Sequence, residues 1–228
     1  MKGRLFLAGG GNEEQSFGVD EIFLRDVSKI LYVPWALPSD DFAGCLRWFT
    51  RAMSKHKRVR IQILTDLQKD ARLQDQDAVY IGGGNTFRLL MRIREGGFDK
   101  RLLDYYNSGG TVYGGSAGAL IWGADIGIAR VCADADKNQV GLKDTSGFDA
   151  LHGLDIQCHY LPDQLRRHQE YITKSGRDVM AIPEESALLL EEGGMRVLGL
   201  KPITLITRRV SKEYGVDEEI KLDDNILS

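Results

Sequence analysis

Residues 111–120 read "TVYGGSAGAL". Thr111, Val112 and Tyr113 favour a strand, whereas Ala117 to Leu120 suits a helix. Between them lie two glycines and a serine, so the chain turns from strand to helix through residues of almost no bulk. Small residues suit such a turn because strand and helix approach closely there. Gly114-Gly115-Ser116-Ala117-Gly118 also satisfies G-x-S-x-G, in which a strained turn projects the serine hydroxyl at the strand's end. A purely structural turn with Ser116 as helix cap would use the same residues, and five positions do not separate the two readings.

The same alternation runs outward from this turn. "RLFLAG" (4–9), "ILYVPW" (30–35), "RVRIQIL" (58–64) and "AVYIGG" (78–83) read as buried strands. Helical patterns fall over 19–31, 41–56, 86–96 and 98–107. Strand–helix alternation of this kind predicts an α/β fold: an open, mostly parallel twisted sheet with helices on both faces. Past Leu120 the pattern loosens, and 124–154 reads as irregular. Strand character returns over 155–161, a helix is expected over 164–173, and short strands follow, broken by turns such as Glu192-Gly193-Gly194. These predict extra antiparallel strands on an open sheet edge near the C-terminus. No repeat or linker interrupts the chain, so one domain is expected over 1–228.

Composition narrows the function. The 228 residues carry 30 Lys and Arg against 33 Asp and Glu, a formal charge of −3. That balance gives no electrostatic case for nucleic acid or an anionic membrane. Cys45, Cys132 and Cys158 stand at no metal-ligand spacing and make no disulfide framework. The opening "MKGRLFLAGGGNEEQ" has too short an apolar run for a signal peptide or a membrane span. A reduced, soluble, cytoplasmic protein is expected.

Two further glycine turns follow expected strands: Gly9-Gly10-Gly11-Asn12 and Gly82-Gly83-Gly84-Asn85-Thr86. Neither has the dinucleotide or phosphate-loop spacing. Both fall at the carboxyl edge of the sheet, where open α/β folds place their sites and where free backbone N–H groups can hold an oxyanion. A nucleophilic serine needs a base. His56 lies among lysines and arginines and reads as solvated surface; His152 lies in irregular chain; His168 reads as an exposed helix face. His159 ends the strand pattern beside Pro162. From the residues alone it is as well read as a satisfied core histidine as a base.

The ordered set "YIGGGNTFRLL" (80–90), "GGSAGA" (114–119), "GFDAL" (147–151) before a strand histidine, and "IPEES" (182–186) resembles the aspartyl dipeptidase (peptidase E) family, which includes cyanophycinase-like members. The resemblance implies a flavodoxin-like sheet related to class I glutamine amidotransferases, with serine in place of their cysteine nucleophile. It implies a Ser-His-Glu triad matching Ser116, His159 and Glu184, and oxyanion donors matching the N–H groups of Gly84 and Ala117. No cofactor or metal is implied; the partner is a short peptide substrate, and a homodimer is left open.

Asp134 and Asp136 are rival triad acids; Glu184 is preferred because its Pro-Glu context matches. The family's dipeptidases favour an N-terminal aspartate, held by an arginine in the helix after the histidine. Here only Arg166 and Arg167 stand in that helix, without a clean motif match, and the segment from Ser116 to His159 is longer than in the close dipeptidases. The expected activity is therefore serine-type hydrolysis of short peptides. Cleavage of β-aspartyl-arginine peptides and ligand binding without catalysis are the alternatives.

Overall fold

Alternate residues of Leu5–Ala8 pack on opposite sides of one sheet, Leu5 and Leu7 on one face and Phe6 and Ala8 on the other. The computed structural model describes residues 3–69, 71–131, 135–192 and 194–220. In chain order the strands begin with β1 (Leu5–Ala8), β2 (Lys29–Val33), β3 (Arg60–Ile63), β4 (Ala78–Ile81), β5 (Thr111–Gly115) and β6 (Asp155–Gln157). There follow β7 (Val179–Ala181), β8 (Ser186–Glu191), β9 (Gly194–Gly199), β10 (Ile203–Ile206), β11 (Ser211–Tyr214) and β12 (Glu219–Ile220). The helices are α1 (Phe17–Leu24), α2 (Phe42–Ser54), α3 (Thr86–Glu95), α4 (Phe98–Asn107), α5 (Ala117–Leu120) and α6 (Leu165–Ser175).

The main sheet runs β12-β9-β8-β1-β5-β4-β2-β3. Its five central and distal strands, β1 to β5, are parallel. The order β3-β2-β4-β5 is the doubly wound one, with β1 in the place a fifth strand would take. β8, β9 and β12 add antiparallel strands beyond β1, as the C-terminal pattern predicts. The remaining strands form a second sheet, β11-β10-β7-β6, which the sequence pattern did not reveal. In it β6 and β7 are parallel neighbours, and this pairing positions the site.

Every residue of β1 is buried, which a strand covered on both faces requires. On one side Phe6, Tyr32, Tyr80 and Tyr113 pack with Phe23 of α1 and Phe49 of α2; the Tyr80 and Tyr113 rings stack at 4.4 Å. On the other, Leu5, Leu7, Leu31, Val79 and Val112 meet α3, α4, α5 and the second sheet. Each such fully buried side chain stabilises the fold by about 1.5–3 kcal/mol.

Two expected elements end early. The helix expected over 19–31 stops at Leu24, because the Ser28 and Lys29 N–H groups both donate to the Asp77 carboxylate at 2.8 Å and lead the chain into β2. The strand expected over 155–161 stops at Gln157, because His159 takes φ 54°, which no strand accommodates.

Candidate active site

The tail of β1 is where the site is tied together. The Ala8 carbonyl accepts the Ser116 N–H at 3.1 Å, and the Gly9 carbonyl accepts the His159 N–H at 3.0 Å. The Gly9 N–H donates to the Ser186 carbonyl at 2.9 Å. The buried Cys158 thiol also turns onto the Ala8 carbonyl, at 3.5 Å. One buried strand end thus fixes the end of β5, the loop after β6 and the start of β8.

Ser116 follows β5 with φ 52° and ψ −115°, outside the basins open to ordinary residues. Such a conformation costs about 1–3 kcal/mol and persists only where its surroundings impose it. Here α5 is pressed against the neighbouring strand: a Cβ on Gly118 would lie 2.4 Å from the Ile81 carbonyl oxygen. Ser116 occupies the N-cap position of α5, yet its side chain makes no capping bond. Its Oγ lies instead 2.7 Å from His159 Nε2. The capping reading of the serine is thereby excluded.

His159 and Glu184 come from the loops after β6 and β7, so the parallel pairing of those strands sets the two loops side by side. His159 Nδ1 lies 2.8 Å from Glu184 Oε1. Glu184 Oε2 in turn accepts the Gln15 side-chain amide at 3.0 Å. Hydrogen bonding from His159, and secondarily from Gln15, holds the Glu184 carboxyl below its ordinary value against the opposing effect of burial. Gln15 was not foreseen; it follows the first glycine turn with no motif to mark it.

The second glycine turn abuts the serine, since a Cβ on Gly83 would lie 3.2 Å from Ser116 Cβ. Among the described residues, the Gly84 and Ala117 N–H groups are not spent on other acceptors. Asp136 bonds to Thr86 and not to the imidazole. Its carboxylate accepts the Thr86 N–H at 2.8 Å and the Thr86 hydroxyl at 2.6 Å, fixing the start of α3 just after Gly84. Asp134 lies outside the described residues.

A cavity of about 620 Å³ opens over Ser116 and His159, lined also by Gly84, Asp136, Gln164 and Lys201. The Lys201 ammonium is 2.7 Å from Glu185, whose carboxyl it holds low. Arg166 and Arg167 do not line this cavity. α6 buries His168 and Ile172, which turns both arginines outward, and Arg166 pairs with Glu170 one turn on. Two other histidines, His168 and His56, depart from expectation. His168 is fully buried, with Nδ1 2.9 Å from the Gln164 carbonyl, and burial pushes its imidazole down. The His56 ring is buried too, against Phe17 at 4.3 Å and 3.9 Å from Asp20 Oδ2. His152 is exposed. No helix among the described residues is long and apolar enough to cross a membrane.

The geometry can be set beside known proteins. Peptidase E of Actinobacillus pleuropneumoniae serotype 5b (strain L20) is 24% identical over 229 residues, covering 92% of this chain and 94% of the relative. An uncharacterized peptidase of Listeria monocytogenes serovar 1/2a is 35% identical over 91 residues, which span 39% of this chain and only 42% of that relative. The crystal structure of a peptidase from an acI-B1 Actinobacterium superposes with a TM-score of 0.69 at 17% identity, covering 97% of this chain and 98% of its own, and so shares the fold. A family model described as peptidase family S51 matches residues 5–198. The chain therefore belongs to peptidase family S51 and is a serine-type peptidase.

Proposed function

We propose that this peptidase hydrolyses short peptides through a Ser116-His159-Glu184 triad and an acyl-enzyme. One observation carries the reading: an unbroken line of contacts from Ser116 Oγ to His159 Nε2 at 2.7 Å and from His159 Nδ1 to Glu184 Oε1 at 2.8 Å. In this reading Ser116 Oγ attacks the peptide carbonyl as its proton passes to His159 Nε2. The N–H groups of Gly84 and Ala117 hold the resulting oxyanion, where one such donor is worth roughly 10²–10³ in turnover. Glu184 keeps the Nδ1–H tautomer in place and stabilises the imidazolium. His159 returns the proton to the leaving amine as the C–N bond breaks, which leaves an ester on Ser116. A water molecule, deprotonated by His159, then cleaves that ester and restores the serine.

The relatives named peptidase E support a peptide substrate. Arg166 and Arg167 do not line the cavity, so an N-terminal aspartate lacks there the arginine partner that the resemblance implies. A fluorophosphonate probe tests the nucleophile, since it labels only an activated serine. Peptide mapping of the treated protein is expected to find the adduct on Ser116. A folded protein that hydrolyses dipeptides but carries no adduct there rules the triad out.

A further inference from the structure

A second cavity, of about 650 Å³, opens on another side of Ser116 and shares Gly10, Gly83 and Ser116 with the first. His159 does not line it. Its walls are Tyr32, Leu37, Cys45, Trp48 and Tyr80, and its only charged lining group among the described residues is the Asp41 carboxylate. Trp48 and Cys45 stand three residues apart on α2 and so share one side of that helix. Trp48 is 46% exposed, a large ring held open at the rim rather than folded into the core.

The chemistry of the serine assigns a use to each cavity. His159 must hand its proton to the departing amine, so the amine side of the scissile bond lies in the cavity that His159 lines. The acyl side of the same carbonyl is left the cavity that Ser116 lines and His159 does not. We propose that this second cavity is the acyl-side subsite, and that it selects an aromatic or large aliphatic N-terminal residue whose α-ammonium faces Asp41; the inference rests on the Ser-His-Glu reading. The exposed Trp48 ring offers a face on which a further apolar side chain packs, with Tyr32 and Tyr80 lining the same cavity. Asp41 caps α2 through Oδ1, accepting the Gly44 N–H at 2.8 Å, and Oδ2 carries no hydrogen bond among the described residues. An aspartyl side chain in the same place would meet a carboxylate and no lysine or arginine.

Two measurements test this, on Phe-Leu and Asp-Leu, which share a leaving residue. In wild-type protein, kcat/KM for Phe-Leu is expected to exceed that for Asp-Leu at least tenfold, with Trp48→Ala narrowing the ratio at least fivefold. In Ser116→Ala protein, calorimetry is expected to show Phe-Leu binding at least tenfold more tightly than Asp-Leu. The binding arm reads the cavity's preference without turnover, and fluorophosphonate labelling of the wild type reads the nucleophile separately, so failure of the one is told from failure of the other. Equal or tighter binding of Asp-Leu, or a ratio unmoved by Trp48→Ala, overturns the proposal.

Discussion

Gly10 leaves no room for a side chain beside His159: a Cβ there would lie 2.6 Å from His159 Cε1 and 2.8 Å from Ser116 Cβ. Its φ of 96° disfavours any other residue as well. Gly10→Ala is therefore expected to push the imidazole off the serine and lower kcat/KM by about a hundredfold, the usual cost of misplacing a reacting group by an ångström. Steady-state kinetics on the best dipeptide checks this. Activity within threefold of wild type would mean that the imidazole position is not what limits the reaction.

The strain at Ser116 makes a separate prediction about stability. With φ 52° and ψ −115°, the serine sits where glycine is at ease and alanine is not. Ser116→Gly is expected to be more stable than Ser116→Ala by about 1 kcal/mol, roughly 2–4 °C in melting temperature for a chain of this size. Scanning calorimetry of the two variants settles it. An alanine variant that melts at or above the glycine variant would show that the turn is unstrained.

Gln15 touches the Ser116-His159-Glu184 line only through Glu184 Oε2, at 3.0 Å. Gln15→Ala should lower kcat by at most about tenfold, ~1.4 kcal/mol in the barrier, with KM unchanged. The pH profile carries the sharper sign. Glu184 is held below its ordinary value by hydrogen bonds from His159 and Gln15, so losing the amide makes the carboxylate more basic. The protonated form of Glu184, which cannot accept the His159 Nδ1–H, then persists to higher pH, and the acid limb of kcat/KM moves upward. A downward move, or none, would place Gln15 outside the catalytic line.

The two carboxylates weighed as the third member divide by what they touch. Glu184 meets the imidazole, whereas Asp136 meets Thr86 and so braces the turn that carries Gly84. Glu184→Gln is expected to cost at least about a hundredfold in kcat, because an amide does not stabilise imidazolium. Asp136→Asn retains an oxygen for Thr86 and should cost at most about tenfold. The reverse order would make Asp136 the residue that matters.

Much of this site was legible in the sequence, and the reasons are local. Residues 111–120 carry their own turn geometry, so β5, the elbow and α5 follow from adjacent positions. Helices α3 and α4 follow in the same way from period and caps, with the Asn85 side chain accepting the Arg88 N–H at the start of α3. What was hidden depends on distant pairing. The burial of His168 and the outward turn of Arg166 depend on which side of α6 meets the second sheet, a sheet built from strands of three or four residues. Gln15 reaches the site because β1 lies between β5 and β8, and nothing near it in the chain records that placement, although the glycine turn just before it was expected at the carboxyl edge.

The triad rests first on Ser116, so its removal is the most direct test. A Ser116→Ala protein should fold as the wild type does, with the same circular dichroism, and lose at least about ten-thousandfold in kcat/KM on the best dipeptide, as triad serines do elsewhere. Activity that survives within tenfold in a folded Ser116→Ala protein would contradict the triad and leave Ser116 as a turn residue.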